Sequence, residues 1–340
     1  GKQGLYRHGQ RLTHEPCERI LLSLLALFFL ILLLLSPGTA LEGARKGLLL
    51  WAYTVLPTLL PFMIGTGVIA AMGAVGLVVK PFSPLLSGVF HFSQPAGFVF
   101  LTGLLCGYPM GAKMDRDLLE RGQISWEEAC YLLSICNHPS PMFLTGYTVM
   151  EGQKLLPPSI KFPLFPFLAA LYLPVFPISY LARHYYDKKS KKNRKIRPSV
   201  WSGVSHTAPI SSFSLDEHLM SCLETMEKIG LYIMLFSILS LYLFKLPLPG
   251  PVILKPALMG LLEITTGIQT ICEHTSGLTG LLLVTGSVAF GGISGIFQTR
   301  SVLTMHSGRK NAGLSIRHYI FWKALHSLLS CVFFWILLKI

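Results

Sequence analysis

Apolar residues in this chain gather in long blocks instead of the three-to-four-residue rhythm of a surface helix. The blocks cover residues 20–35, 47–72, 98–110, 129–150, 162–180, 229–244, 252–271, 278–303 and 316–338. The first is mostly leucine. At 1.5 Å per residue it rises about 24 Å, close to the roughly 30 Å hydrocarbon core of a bilayer. Arg7, Arg11 and Arg19 precede it and Gly38-Thr39-Ala40 follows it, which fits an uncleaved first span and also a cleavable leader. Two later blocks are interrupted, one by Asn137-His138-Pro139-Ser140-Pro141 and the other by Phe290-Gly291-Gly292-Ile293-Ser294-Gly295. Proline removes a backbone donor and glycine loosens a helix. At membrane depth such backbone survives only where protein or a wet cavity satisfies it. Ser125-Trp126-Glu127-Glu128 and Ser214-Leu215-Asp216-Glu217 fit the capping box and predict helix starts, the second as an amphipathic lead-in to the block at 229.

Composition turns these blocks into membrane spans. Of 340 residues, 51% are hydrophobic and only 13% charged, too apolar for an ordinary soluble domain. The formal charge of +13 comes from bases at block ends and in the run Lys188-Lys189-Ser190-Lys191-Lys192-Asn193-Arg194-Lys195, the positive-inside pattern. That run reads as a cytoplasmic loop dividing the chain into halves. No interleaved basic and aromatic platform is present, so nucleic acid is not an expected partner. The seven cysteines are odd in number and form no CxxC pair; they read as small buried hydrophobes. His138 has no second ligand at metal spacing, so neither a metal nor a cofactor is expected. With no GxSxG elbow, HExxH pair or nucleotide-binding loop, the chain does not read as an enzyme.

Charge also tests topology. With the N-terminus inside, and with 98–110 and 252–271 re-entering without crossing, three basic clusters share one side. These are Lys113, Arg116 and Arg121; the loop 183–197; and Arg300, Arg309, Lys310 and Arg317. Making 98–110 a full span would expel the 183–197 loop, against the charge rule. Each half then reads as a span, a re-entrant segment and a broken span, running in opposite directions. The predicted fold is an all-α polytopic membrane protein built from inverted repeats with re-entrant segments and broken helices, as many secondary transporters are. The divisions are a tail and first transmembrane helix (1–46), a first repeat (47–160), a transmembrane helix with the basic loop (161–220), a second repeat (221–303) and a C-terminal transmembrane helix (304–340).

Candidate chemistry sits at the breaks. Gly107, Tyr108 and Pro109 form a turn that ends the first re-entrant segment, and Gly103, Gly107 and Gly111 recur at four-residue spacing, which close helix packing also explains. Lys113 either snorkels to the interface or attracts an anionic substrate beside free helix amides. Asn137, His138 and Ser140 bring hydrogen-bonding groups to mid-span, as core contacts or as a binding site. In the second re-entrant segment Glu263 is an ionisable group among apolar neighbours, followed by Thr265 and Thr266. It is expected either to carry a coupling proton or to pair with Lys113 or another base. Gly291 and Gly292 form the second break, with Ser294 and Gln298 four apart on one helix face.

The stretches LWAYTVLPTLLPFMI, GYPMGAK, LLSICNHPSPMF, LMGLLEITTG and AFGGISGIFQ span about residues 47–303 in order. In these the chain resembles the YlbJ-type sporulation integral membrane proteins, also called the stage V sporulation transporter family, within the nucleoside-recognition gate group. The resemblance implies a gate domain similar to part of concentrative nucleoside transporters, and movement of dipicolinic acid toward the developing spore. It places the chain as a multi-pass cell-membrane protein, in a spore former in the mother-cell-derived outer forespore membrane. Expected partners are the solute, the lipid bilayer, a coupling proton or sodium ion, and further copies of the chain in a homo-oligomer. Nucleoside or other small-solute transport, and a non-transporting sporulation scaffold, remain as alternatives.

Overall fold

The computed structural model describes residues 16–193, 214–303 and 314–339. Their regular structure is helical throughout, as the need to satisfy every backbone group within lipid requires. In chain order the helices are α1 (Pro16–Leu35), α2 (Pro37–Leu50), α3 (Leu56–Ala71), α4 (Val75–Val79), α5 (Gln94–Cys106), α6 (Met110–Glu120), α7 (Trp126–Leu133), α8 (Val149–Gly152), α9 (Leu164–Tyr172), α10 (Val175–Asn193), α11 (Leu215–Lys245), α12 (Leu254–Leu262), α13 (Ile264–His274), α14 (Gly277–Phe290), α15 (Gly292–Leu303) and α16 (Ile316–Leu337). Among the described residues, five stretches are long and apolar enough to cross a membrane: Pro37–Ala71, Leu164–Lys188, Leu215–Lys245, Gly277–Leu303 and Ile316–Leu337. Ser23–Leu35 and Gln94–Cys106 are shorter apolar helices. The protein is a multi-pass all-α membrane protein.

The segments expected to re-enter are helical hairpins. Arms α5 and α6 fold back at Gly107, which has φ +87°, so that Gly103 and Gly111 face one another; an added Cβ on Gly103 would lie 3.1 Å from the Gly111 Cα. Arms α12 and α13 fold back at Glu263 in the same way, with Gly267 against Gly260, where a Cβ would lie 2.4 Å from the facing Cα. Each hairpin is followed by a broken helix. Residues 134–140 leave the helix after α7 before 141–152 resume it, and Gly291, at φ +85°, separates α14 from α15.

Contacts between helix ends fix the directions. The Arg116 guanidinium donates to the Val302 carbonyl at 2.6 Å, and Tyr186 meets His318 and Trp322, so the ends of α6, α10 and α15 and the start of α16 lie together. The basic stretches in the described residues therefore gather at one end. At the other end Lys245 donates to Thr39 at 2.8 Å, and Lys255 to the Phe244 carbonyl at 3.0 Å. The first hairpin enters from the basic end and the second from the opposite end.

Several element boundaries differ from the sequence reading. The block at 47–72 belongs to a helix that already begins at Pro37, because Glu42 and Lys46, one turn apart, pair at 3.2 Å at its polar start. The basic run predicted as loop is helical as far as Asn193, since α10 carries its register through the lysines. The rest of that run, and Arg309 and Lys310, lie outside the described residues. Ser125 and Ser214 cap their helices, accepting from the Glu128 and Glu217 amides at 3.1 and 3.3 Å. The Glu128 carboxylate does not return to its own cap; it accepts from the Ser93 amide at 2.8 Å and fastens the base of the first hairpin.

Candidate functional site

Each hairpin crosses the break that follows it. The Cys136 carbonyl of the unwound segment lies in the groove between the arms of the first hairpin, where Cβ atoms on Gly103 and Gly111 would stand only 1.9 and 2.2 Å from its oxygen. Gly107 packs on the Ser140 amide and the His138 carbonyl. In the second half Gly292 meets Leu262, Glu263 and Ile264 at the other hairpin tip. The halves interlock through Tyr108, whose ring covers Gly291 and Gly295, and through Tyr147, whose hydroxyl donates to the Thr265 carbonyl at 2.8 Å.

Between the two tips lies a cleft with about 450 Å³ of empty space, its open mouth included. Gly107 and Tyr108, Pro139 and Ser140, Glu263 to Thr265, and Gln298 line it, with Val55, Thr58, Leu59, Phe143 and Ile233 supplying a largely apolar wall. Much of the polar wall is made of helix starts. The α6 helix opens just beyond the Gly107 turn, Ser140 caps the helix that resumes at 141 by accepting from the Phe143 amide at 3.2 Å, and Glu263 caps α13. Helix starts carry unsatisfied amides and partial positive charge, and they favour anions. Glu263 is 1% exposed; its Oε2 accepts from the Thr266 amide at 2.8 Å and from the Thr265 hydroxyl. Among the lining residues it is the only acidic or basic side chain.

The remaining candidates stand beside the cleft, not on it. Pro109 completes the tip turn, while Gly291 and Gly292 shape the second break behind Tyr108. Ser294 accepts from Gln298 at 3.1 Å and thereby orients it, and Thr266 pairs with Ser237 at 3.2 Å. Asn137 is a clamp. Its Oδ1 accepts from the Ala112 amide at 3.4 Å, and its amide nitrogen donates to Thr299 at 3.0 Å and to Tyr319 at 2.8 Å. Lys113 is half-buried on α6 outside the cleft lining, and no ion pair joins it to Glu263. The expected Glu263–base pairing is thus absent, because the N-cap position already gives the carboxylate its donors.

Sequence reading missed a second polar group on α16. Tyr319, Lys323, His326 and Ser330 are 3%, 2%, 1% and 0% exposed, although they belong to a membrane span. Lys323 Nζ donates to the Asn137 carbonyl at 3.0 Å, and the His326 ring lies 4.8 Å from that of His138. A signal was present in the 4-3-4 spacing, which places all four on one helix face. No cluster of three or more metal-ligating side chains occurs among the described residues.

No protein-family model and no solved structure matches the chain. Among curated proteins it is similar to the sporulation integral membrane protein YlbJ of Bacillus subtilis (strain 168), with 28% identity over 315 residues, covering 83% of this chain and 75% of the relative. That similarity along most of both chains bears out the resemblance carried by the motifs.

Proposed function

We propose that the protein is a secondary transporter that moves a small anionic solute across a membrane of a sporulating cell, with dipicolinate as the leading solute. The observation that carries this reading is the meeting of two oppositely directed hairpin tips and two helix breaks around one cleft. Transporters bind solutes near the midplane where interrupted helices present free amides and carbonyls. Here the helix starts at Met110, at residue 141 and at Ile264 offer the positive ends a carboxylate needs, and the apolar wall suits a flat ring. The similarity to a sporulation integral membrane protein supports a membrane role in spore formation; the outer forespore membrane is proposed as the site of action only on the family resemblance.

One observation favours a second reading. Glu263 is acidic and Lys113 stands outside the cleft, an arrangement that also suits an uncharged solute rich in hydrogen-bond donors, such as a nucleoside. Purified protein in lipid vesicles decides between them. Saturable uptake of labelled dipicolinate, undiminished by excess nucleoside, is the expected result. Nucleoside uptake alone would shift the function to the second reading, and absence of flux for both would leave a scaffold.

A further inference from the structure

The buried polar face of α16 is separate from the solute cleft and is not needed to line it. Tyr319, Lys323, His326 and Ser330 follow one another along the interior face of the span over about 16 Å, at 1.5 Å per residue. An ionisable residue inside a span is expensive and marks a functional position by default. Lys323 pairs with no carboxylate among the described residues; its hydrogen-bond partner is the Asn137 carbonyl of the unwound segment. The His326 ring donates from Nε2 to the Leu171 carbonyl at 2.8 Å, which leaves Nδ1 as an acceptor, and that nitrogen is buried without a donor. Tyr172 and Ser330 carry buried hydroxyls that likewise lack partners. Buried polar atoms are normally hydrogen-bonded, and a run of unpartnered ones is the lining that ordered water bridges.

We propose that this face of α16 is a proton path and that Lys323, exchanging its proton with water along the path and with His326 Nδ1, is a proton switch on the unwound segment 134–140. In the exchange the Nζ–H bond breaks with its electron pair left on nitrogen, and the proton bonds to the Nδ1 lone pair or to water. The charged amine holds the Asn137 carbonyl strongly and the neutral amine weakly, because hydrogen bonds from ionised donors are roughly twice as strong. Asn137 also clamps α6, α15 and Tyr319, so loosening its carbonyl loosens the first break against both halves. The titratable groups facing Lys323 are Cys136 and His138 from the unwound segment, His326 and Tyr319 from its own helix, and Asp115 from α6 beyond Cys136. Of the helices packed on α16, α14 carries no titratable side chain, α9 carries Tyr172 and α15 carries Arg300, while α10 meets it through Tyr185 and Tyr186 at the His318 turn.

As the coupling device of a transporter this rests on the preceding proposal; as a proton switch it does not, and the test separates the two. Amide hydrogen exchange of the 134–144 region is measured in lipid nanodiscs for the wild type, Lys323→Gln, Lys323→Arg and His326→Gln across the range in which imidazoles and amines titrate, roughly pH 6 to 10. The expected result is that protection of the wild type relative to Lys323→Gln falls at least tenfold over that range, and that Lys323→Arg stays protected throughout. His326→Gln, which keeps the donor to Leu171 and removes the acceptor nitrogen, is expected to displace the wild-type transition. A wild-type difference that is constant with pH overturns the switch, and the folded Arg and His variants keep that outcome readable if Lys323→Gln fails to fold. In vesicles, a dipicolinate gradient is then expected to drive a pH change that drops at least tenfold in Lys323→Gln while equilibrium exchange of dipicolinate continues. Retention of the full pH change in Lys323→Gln would sink the coupling role. No dipicolinate flux in the wild type would reject that solute and leave the hydrogen-exchange result to decide the switch alone.

Discussion

At the scale of single residues, two kinds of position carry the argument: glycines that admit another backbone, and charges that face the cleft. A methyl group on Gly103 would have to share space with the Cys136 carbonyl oxygen, which belongs to backbone and cannot rotate away. Gly103→Ala is therefore expected to cost about 1–3 kcal/mol or more by overpacking, while Gly146→Ala, where nothing lies within 4 Å, is neutral or slightly stabilising by helix propensity. Thermal unfolding of both variants in nanodiscs checks the contrast, and equal midpoints would contradict the close crossing of hairpin and break. Glu263→Gln keeps an oxygen for the Thr266 amide but removes the negative charge from the cleft. Dipicolinate is expected to bind about tenfold tighter, near 1.4 kcal/mol, whereas Lys113→Met changes binding by less than about twofold because Lys113 does not reach the lining. Titration of the variants by calorimetry reads both. A Glu263→Gln protein that binds dipicolinate no better, yet loses nucleoside binding, would favour the uncharged solute.

At the scale of elements, the hairpins show what a sequence can and cannot disclose. Their existence was legible because a short apolar block ending in Gly-Tyr-Pro, with charge bookkeeping that forbids a crossing, has few alternatives. Where the helices actually stop was less legible. Residues 134–136 leave the helix before the first proline is reached, since the Cys136 carbonyl is drawn into the groove between Gly103 and Gly111, a tertiary contact that no local pattern encodes. The base of the first hairpin depends in the same way on a distant residue. Glu128, which fits a capping box in its own helix, instead holds the Ser93 amide that opens α5. Glu128→Ala is expected to leave the Ser125 cap in place and still destabilise the protein by about 1–2 kcal/mol through the Ser93 bond alone. Faster hydrogen exchange confined to the start of α5 would be its mark; a uniform loss of protection would mean that α7 itself depends on this carboxylate.

At the scale of the whole molecule, the candidate site is a product of topology, and its polar surroundings divide between what patterns reveal and what averages conceal. The two broken blocks and the Gly-Tyr-Pro turn could be picked out because proline and glycine interrupt otherwise apolar runs, and the second hairpin tip because Glu263 is an ionisable group among apolar neighbours. The α16 face escaped notice because one lysine and one histidine scarcely alter the mean hydropathy of a 22-residue helix, although their spacing places them together. The arrangement of both sites depends on the ends of the molecule being assigned to the correct sides. The ends of α6, α10 and α15 and the start of α16 meet through Arg116, Tyr186 and His318, so their bases share one face, which the positive-inside rule predicts to be cytoplasmic. The end of α11 and the polar start of α2, joined by Lys245 and Thr39, then lie outside, as does the loop at 157–163. Single cysteines at Arg121, Lys188 and Arg317 are accordingly expected to react with an impermeant maleimide only in inverted vesicles, and cysteines at Ile160 and Leu246, each at least half exposed, only in intact cells. Native cysteines interfere little, since five are buried and Cys331 is half-buried, and Cys17 is replaced by serine in the background. If cysteines at the exposed Lys80 and Arg121, which bracket the first hairpin, label from opposite sides, that hairpin crosses the membrane instead of folding back. The two tips then cannot meet, and the cleft loses its basis as a solute site.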